Sequence, residues 1–398
     1  MFTKIKDVFK MLQTFDMKAI EKLSAKVDLP TILASVSKLD DSQLNSLVKM
    51  LEGGSRKQRQ LPAVNGDFYN IAERLSEADR DLQLRVRAFM EQEIQPIVNE
   101  YWLKAEFPFE IIPKLAELNI CGVTYKGYGC PGRSFLMEGV IAMELARVDT
   151  SISTFFGVQS GLAMGSIYLL GSEEQKEEWL PKMQQLKTIG AFGLTEPEVG
   201  SGAAGGLNTT AKRVGNKWIL NGQKKWIGNA TFADVTIIWA RDEADNEVKG
   251  FLVRKGTAGF AVEKMRDKMA LRIVQNGLIT LTDCEVAESD RLQLANSFKD
   301  TAEVLRMTRA GVAWQAVGWA RAAYEHALRY TKERNQFGKP IASFQLIQNH
   351  LVEMLSNLTA MQTMVFRLSE LQDAEKLSDE HASLAKVFCS LRTRDVVS

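Results

Sequence analysis

The chain has 398 residues, of which 45% are hydrophobic and 25% are charged, and its formal net charge at pH 7 is +1. A chain of this length exceeds one ordinary hydrophobic core, so we expect a globular protein of two or three packed domains. Its 50 basic and 49 acidic residues form no basic stripe with interleaved aromatic residues, which argues against a nucleic-acid partner.

The sequence carries no recognisable targeting or membrane segment. No apolar run approaches the roughly 20 residues that span a bilayer, and the N-terminus lacks the apolar block of a signal peptide. Acidic residues interrupt the first lysines, and the first 50 residues hold no arginine, so a mitochondrial presequence is disfavoured. We therefore predict a cytoplasmic protein.

The cysteines and histidines show no metal-binding or disulfide pattern. The cysteines are far apart and are expected to be reduced and mostly buried: Cys121, Cys130, Cys284 and Cys389. The three histidines lie singly in helical context, so structural roles are favoured and no metal site is predicted.

The N-terminal part of the chain has helical character. The periodicity and alternating charges at the start of residues 1–62 predict a helical extension, which is followed by a flexible basic linker. The pattern of residues 1–52 fits either a docking or oligomerisation element or a pair of solvated helices. Residues 63–190 predict an α-helical domain.

The hydrophobic period changes in the middle of the chain, where residues 191–298 predict a β-barrel or β-sandwich domain. Short β-prone runs occur at 218–220, 235–240, 251–253 and 278–281. The pair Asn221-Gly222 predicts a hairpin turn.

Helical periodicity returns in residues 299–398, which predict a C-terminal α domain. Apolar residues recur at steps of three and four, and one series forms the seam of a helical bundle: Ile347, Leu351, Met354, Leu358, Met361, Val365 and Leu368. The fold class is therefore α+β multidomain, with the order helix, β, helix.

The most informative segment is residues 193–206, GLTEPEVGSGAAGG, which is followed by Lys225-Trp-Ile-Gly-Asn229. A loop of small residues lets backbone N–H groups approach a pyrophosphate, and Thr195 and Ser201 add hydroxyl groups. A tryptophan at 226 can cover an aromatic ring. The pattern indicates a flavin site, although a surface turn with a core tryptophan gives the same local pattern.

From about Phe68 to the last residue, the sequence resembles the acyl-CoA dehydrogenase and acyl-CoA oxidase superfamily. The likeness is greatest to the branch of glutaryl-CoA dehydrogenases and plant short-chain acyl-CoA oxidases. The matching segments, in the family's order, are KGYGCPG (126–132), ELARVD (144–149), GSEEQ (171–175), LTEP (194–197), WIGN (226–229), LR (271–272) and ERNQFG (333–338).

The resemblance implies FAD as cofactor and oxidation of an acyl-CoA substrate in fatty acid metabolism. Thr195 would contact the pyrimidine edge of the flavin, Ser201 the pyrophosphate and Trp226 the ring face. Arg334 and Phe337 would reach the FAD of a neighbouring subunit, which implies a homo-oligomer, expected to be a tetramer. Electrons would pass to electron-transfer flavoprotein or, in an oxidase, to O2.

The resemblance also implies substrate contacts. Arg309 would support the reaction centre and Arg272 would belong to the substrate pocket. Ser153 and Gly157 stand where glutaryl-CoA dehydrogenases hold the distal carboxylate with arginine and serine. A carboxylate without a cationic partner is costly to bury, so a short monocarboxylic acyl chain is expected. Neighbouring phenylalanines at 155 and 156 could be pocket walls or core residues.

The chain departs from the family pattern at three further places. Gly202 replaces the usual loop aspartate, and Gly228 replaces a threonine that donates near flavin N5. In the family pattern, the usual catalytic glutamate would lie beyond Ser398. One branch of the family carries this glutamate at the position that is Thr308 here, so that position does not supply it either. Residues 1–398 alone are therefore expected to be catalytically inactive and to leave the bundle seam partly uncovered. Two explanations are open: the sequence is a shortened form of an active enzyme, or the protein is a non-catalytic relative that binds flavin or acyl-CoA.

Overall fold

The computed structural model describes residues 66–398, so the predicted extension and linker at residues 1–62 lie outside the described residues. Short helices form the first part of the described chain. They are α1 (Glu77–Phe89), α2 (Val98–Lys104), α3 (Ile111–Glu117), α4 (Phe135–Val148), α5 (Thr150–Phe156), α6 (Met164–Leu170) and α7 (Glu173–Gln184). A two-residue hairpin, β1 (Lys126–Gly127) and β2 (Cys130–Pro131), precedes α4.

Side-chain caps explain where several of these helices begin. Ser76, Ser134, Asp149 and Ser172 each accept a hydrogen bond from a backbone N–H of the first turn of α1, α4, α5 and α7. Such caps satisfy amide groups that have no partner inside the helix. A π-helical segment, Gly157–Ala163, joins α5 to α6.

The middle of the chain forms a curled mixed sheet of seven strands. These are β3 (Gly190–Gly193), β4 (Thr210–Val214), β5 (Lys217–Ile227), β6 (Val235–Asp242), β7 (Val248–Arg254), β8 (Phe260–Lys264) and β9 (Gly277–Ala287), with the short helix α8 (Ala203–Gly206) between β3 and β4. The order is β3-β6-β4-β5-β9-β8, and β7 pairs with β6. The pairs β3–β6 and β4–β6 are parallel and the others are antiparallel.

Long helices complete the chain. They are α9 (Phe298–Glu333), α10 (Gln345–Asp373) and α11 (Asp379–Val397), and a hairpin of β10 (Asn335–Gln336) and β11 (Lys339–Pro340) follows α9. The predicted seam lies on α10, where Leu358, Met361 and Val365 are fully buried. None of the helices between residues 66 and 398 is long and apolar enough to cross a bilayer.

The predicted order of a helical, a β and a second helical region is confirmed, whereas the predicted hairpin at Asn221-Gly222 is wrong. These two residues lie inside the continuous strand β5, at an irregularity in its pairing with β9. Gly222 has φ +143°, and a Cβ there would lie 2.7 Å from Thr209 Cα. The glycine therefore allows the backbone of Thr209 to lie close to β5. The turn between β4 and β5 lies earlier, around Gly215 (φ +60°).

Helices α4 and α9 pack closely because glycines remove side chains from the contact. A Cβ on Gly139 would lie 2.1 Å from Trp314 Nε1, and one on Gly318 would lie 2.5 Å from the Met143 carbonyl oxygen. Trp314 in turn donates to Ser369 on α10 at 2.9 Å. These contacts fix the two helices that enclose the cavity described below.

A buried carboxylate on α4 ties the two helical regions together. Glu144 is completely buried and accepts both Nε and Nη2 of Arg87 at 2.9 Å. It also accepts from Gln83 at 2.9 Å and lies 3.3 Å from Arg147 Nε. Burial would raise the pKa of Glu144, but these arginines, together with Arg321, hold it below its usual value.

Replacement of Glu144 with alanine should lower the free energy of unfolding by about 3–5 kcal/mol, because the arginines would lose their buried counter-charge. Urea denaturation measures this change. Glu100→Ala provides the matched control, since Glu100 pairs with Lys104 on the exposed face of α2 and its loss should change the stability very little. Equal effects of the two changes would contradict the assigned role of Glu144.

Candidate functional site

A buried ion pair holds the glycine-rich loop, residues 194–209, against strand β5. Lys224 Nζ lies 2.7 Å from Glu196 Oε1. Glu196 also accepts the backbone N–H groups of Asn208 and Thr209 at 2.6 and 2.9 Å. Because Glu196 lies at the start of the loop and these two amides at its end, the pair closes the loop and fastens it to the sheet.

The pair carries its charges away from water. The side chains of Lys224 and Glu196 are 0% and 2% exposed. Burial lowers the pKa of Lys224 to about 8, and Glu196 limits that shift. Burial would raise the pKa of Glu196, but Lys224 and the donors from the loop hold it below its usual value. Both groups are therefore charged at pH 7.

The end of β5 presents an open aromatic surface beside this loop. Trp226 is 55% exposed and has φ +65°, a conformation uncommon outside glycine. The backbone N–H of Lys225 donates to the Thr195 carbonyl at 2.8 Å, and Asn276 Nδ2 donates to the Trp226 carbonyl at 2.9 Å. The structure therefore brings Thr195 and Trp226 side by side.

Two buried amide side chains fix the sheet to the helical region, one at the end of β5 and one at the start of β3. Asn229 Nδ2 donates to the carbonyls of Phe155 and Gly190, at 3.4 and 3.3 Å. Gln159 Oε1 accepts the Gly190 N–H at 2.6 Å. These bonds set the tryptophan surface against α5 and the π-helical segment.

Gly228 allows close contact at this junction. A Cβ on Gly228 would lie 3.3 Å from Val158 Cγ2 and 3.7 Å from Val274 Cγ1. A threonine there would require its neighbours to shift, so the glycine matches the short distance between β5 and the π-helical segment.

The loop is suited to a large anionic ligand. Cβ atoms on Gly200, Gly202 and Gly205 would meet nothing within 4 Å, and Ser201 is exposed. The backbone of the loop is therefore open to a phosphate group. Gly202 supplies no aspartate anchor, but the Glu196 contacts close the loop instead.

A cavity of about 200 Å³ lies between α4, α5, the π-helical segment and α9. Its wall includes Glu138, Ser153, Gly157, Val158, Thr308 and Gln315. Val158 is also the side chain that a Cβ on Gly228 would approach to 3.3 Å, so this cavity wall lies near the strand end that carries Trp226. The predicted pair Ser153 and Gly157 thus shares one cavity wall.

Of the two neighbouring phenylalanines, one lines the cavity and the other is a core residue. Phe156 lies on the cavity wall. Phe155 is fully buried and packs in an aromatic cluster with Phe107, at 4.6 Å between ring centroids, and Phe232, at 6.2 Å.

Two predicted arginines lie off the cavity wall, each engaged elsewhere. Arg309 Nη1 lies 3.4 Å from Asp379 on α11. Arg272 donates to the carbonyls of Trp102 and Leu103 at 3.0 and 3.1 Å and stacks over the Trp102 ring. Their roles at the reaction centre and in the substrate pocket stay predictions.

Arg334 and Phe337 lie on the exposed hairpin after α9. Phe337 is 91% exposed and packs only against Phe344 among the aromatic rings of residues 66–398. The Arg334 side chain is exposed. Neither contributes to the glycine loop of the same chain, and their contact with a neighbour's cofactor stays a prediction.

A second, larger space does not coincide with this site. A groove of about 820 Å³ lies between α10, α11 and residues 68–69, with a mostly apolar lining. It contains none of the predicted site residues, so the candidate site is the tryptophan surface with its adjoining cavity.

The sequence reasoning missed Glu196, Lys224, Asn229 and Glu138. Lys224 could have been noticed as a lysine at a core-facing position of an alternating strand, which requires a buried partner. Glu138 could have been noticed as an acid in the otherwise apolar run Leu136–Ile141 of α4. Asn229 gave no comparable signal, because its partners are carbonyls of distant segments.

Comparison with protein families gives matches over nearly all of the described chain. The N-terminal domain of acyl-CoA dehydrogenase matches residues 76–187, the middle domain residues 191–284 and the C-terminal domain residues 298–398.

Individual relatives agree with this result. A 3-(aryl)acrylate reductase of Clostridium sporogenes is 36% identical over 321 residues, which cover 78% of this chain and 84% of the relative. The mitochondrial short-chain specific acyl-CoA dehydrogenase of Mus musculus is 31% identical over 321 residues, which cover 79% and 78%. The crystal structure of a glutaryl-CoA dehydrogenase from Mycobacterium smegmatis in complex with FADH2 has a TM-score of 0.80 at 35% identity, covering 82% of this chain and 84% of that one.

Replacement of Lys224 with methionine should loosen the glycine loop and destabilise the fold by about 3–5 kcal/mol, because Glu196 would remain as a buried, unpaired charge. Hydrogen exchange at the Asn208 and Thr209 amides should accelerate with it. Lys217→Met is the control in the same strand, since Lys217 pairs with Glu285 on an exposed face. Unchanged exchange at the two amides in Lys224→Met would contradict the proposed anchor.

Proposed function

Since the chain belongs to the acyl-CoA dehydrogenase family, we propose that it is an FAD-dependent oxidoreductase acting on a short monocarboxylic acyl-CoA thioester. The reaction would transfer a hydride from the β-carbon to FAD and a proton from the α-carbon to a carboxylate base, a glutamate in the family pattern, and would give the 2-enoyl-CoA. The observation that carries this proposal is the open face of Trp226 beside Thr195, adjoining a cavity that is lined mainly by apolar groups.

The residues that would hold FAD meet its chemical needs. Trp226 would cover one face of the isoalloxazine ring, and the Thr195 hydroxyl would bond its polar edge. Ser201 and the open backbone of the glycine loop would bind the pyrophosphate. FAD, when bound, supplies the acceptor for the hydride that leaves the β-carbon.

The cavity would orient the acyl chain and exclude water from the reacting carbons. Val158 lies between the cavity and Gly228, so an acyl chain beside Val158 would extend toward the tryptophan surface. Thr308 is not suited to act as a base, because a neutral hydroxyl, which here donates to the Leu305 carbonyl at 3.1 Å, is far too weakly basic to take a proton from carbon. Arg309 would contribute positive charge from the same helix turn.

The substrate class follows from the cavity wall. Ser153 is buried and donates to the Ala142 carbonyl at 3.2 Å, and Gly157 carries no side chain. Neither supplies a cation, and the described part of the chain places no lysine, arginine or histidine on the cavity wall. A second carboxylate on the acyl chain would therefore be buried without a counter-charge.

Transfer of the electrons to O2, as in an acyl-CoA oxidase, is the second candidate function. Gly228 favours it, because no side chain there donates near the position proposed for flavin N5. Electron-transfer flavoprotein is the acceptor that the first function requires, and a homotetramer in which Arg334 reaches a neighbour's FAD is part of the same proposal.

Replacement of Trp226 with alanine in the complete protein should raise the dissociation constant of FAD roughly 5- to 150-fold, since stacking on an aromatic side chain is worth about 1–3 kcal/mol. Equilibrium titration followed by flavin fluorescence measures this constant. Trp319→Ala, at a partly exposed tryptophan on α9, serves as the control. An unchanged constant in Trp226→Ala would place the flavin elsewhere.

Butyryl-CoA or hexanoyl-CoA should be oxidised with a higher kcat/KM than glutaryl-CoA by the complete protein. The reason is the absence of a cation on the cavity wall. Steady-state rates with an artificial electron acceptor give the comparison, and a clear preference for glutaryl-CoA would overturn the assignment of Ser153 and Gly157.

A further inference from the structure

The cavity wall holds one ionisable group that the proposed reaction does not explain. Glu138 lies in the first turn of α4 and is half-buried, with its side chain on the cavity wall. Among the residues between 66 and 398, it is the only carboxylate that lines this cavity.

Three other polar side chains on the cavity wall already have partners. Ser153 donates to the Ala142 carbonyl at 3.2 Å, Thr308 to the Leu305 carbonyl at 3.1 Å, and Gln315 to the Ser153 carbonyl at 3.5 Å. No hydrogen bond or ion pair links the Glu138 carboxylate to another residue in the described range 66–398. It is therefore an unused acceptor that faces an apolar space.

The electrostatic surroundings of Glu138 are unfavourable for a negative charge. Burial and the nearby carboxylate of Asp373 raise the pKa of Glu138 to about 7. Asp373 is itself fixed by the backbone N–H groups of Phe135 and Leu136 at 2.6 and 3.3 Å. A carboxylate in such a place gains most from a donor or cation that a ligand brings with it.

We propose that Glu138 recognises an acyl group that carries a hydrogen-bond donor on its chain, either a hydroxyl or an ammonium group. This inference rests on the proposed function, because it takes the cavity as the acyl-binding site. It makes the donor-bearing acyl-CoA the preferred substrate class and gives Glu138 a binding role, separate from the proton and hydride transfers.

Three thioesters with acyl chains of matched length test this role on the complete, FAD-loaded protein: 6-hydroxyhexanoyl-CoA, 6-aminohexanoyl-CoA and heptanoyl-CoA. Affinities come from titration calorimetry, and kcat/KM from flavin-linked turnover. We expect the unmodified protein to prefer at least one donor-bearing chain over heptanoyl-CoA. The preference between hydroxyl and ammonium shows which donor the site selects.

Variants at position 138 connect that preference to the carboxylate. Glu138→Leu should reduce affinity and kcat/KM for the preferred donor-bearing thioester roughly 10- to 100-fold and should change them much less for heptanoyl-CoA. Glu138→Gln keeps the shape and an acceptor oxygen, so it should retain the hydroxyl substrate better than the ammonium substrate. Glu303→Gln, at an exposed pair on α9, controls for unspecific effects of removing an acid.

Distinct results would overturn the inference. A preference for heptanoyl-CoA in the unmodified protein, or equal changes for all three thioesters in Glu138→Leu, would remove the recognition role. Uniform loss of turnover with unchanged affinities would mean that Glu138 acts on the reacting atoms instead. If the unmodified protein binds the thioesters but turns over none of them, the proposed function fails, while the calorimetric comparison still decides whether Glu138 recognises a donor.

Discussion

The ion pair between Glu196 and Lys224 is the constraint on which the candidate site depends. A loop with five glycines between 193 and 206 has little conformational preference of its own, and ordering it costs entropy. Glu196, at the start of that loop, accepts from two amides at its end and bonds through Lys224 to the sheet. Backbone amides in the middle of the loop can therefore stay open toward a ligand, because the loop is held at its two ends.

A second set of contacts determines where this loop lies relative to the helices. Asn229 and Gln159 connect the end of β5 and the start of β3 to the segment that forms one cavity wall. The close approach at Gly228 brings the aromatic surface next to Val158. A planar cofactor on Trp226 and an acyl chain in the cavity would thus be neighbours, and the charges of the cavity wall would then decide which acyl chains bind.

Much of the fold followed from hydrophobic periodicity, whereas the family motifs supplied the candidate site residues, whose roles stay predictions. The three regions and the buried seam of α10 were predictable because their patterns are local and long. The pair Asn221-Gly222 gave a wrong prediction, because a glycine occurs both in turns and in strands where another backbone segment lies very close. Only the position of Thr209 beside Gly222 distinguishes the two cases. The partners of Glu196, Asn229 and Glu138 were not predictable, since they come from segments far apart in the chain. The positions of two arginines were unpredictable for the same reason: Arg309 is held by Asp379 on α11, and Arg272 by carbonyls at the end of α2.

The central claim is that the tryptophan surface and the helical cavity act together in one flavin-dependent oxidation. Anaerobic addition of hexanoyl-CoA to the complete, FAD-loaded protein tests it most directly, with the flavin spectrum and the thioester products followed together. We expect loss of the oxidised flavin absorbance and formation of an equivalent amount of 2-enoyl-CoA. A protein that takes up no FAD, or one whose flavin stays oxidised with every saturated acyl-CoA, would contradict it.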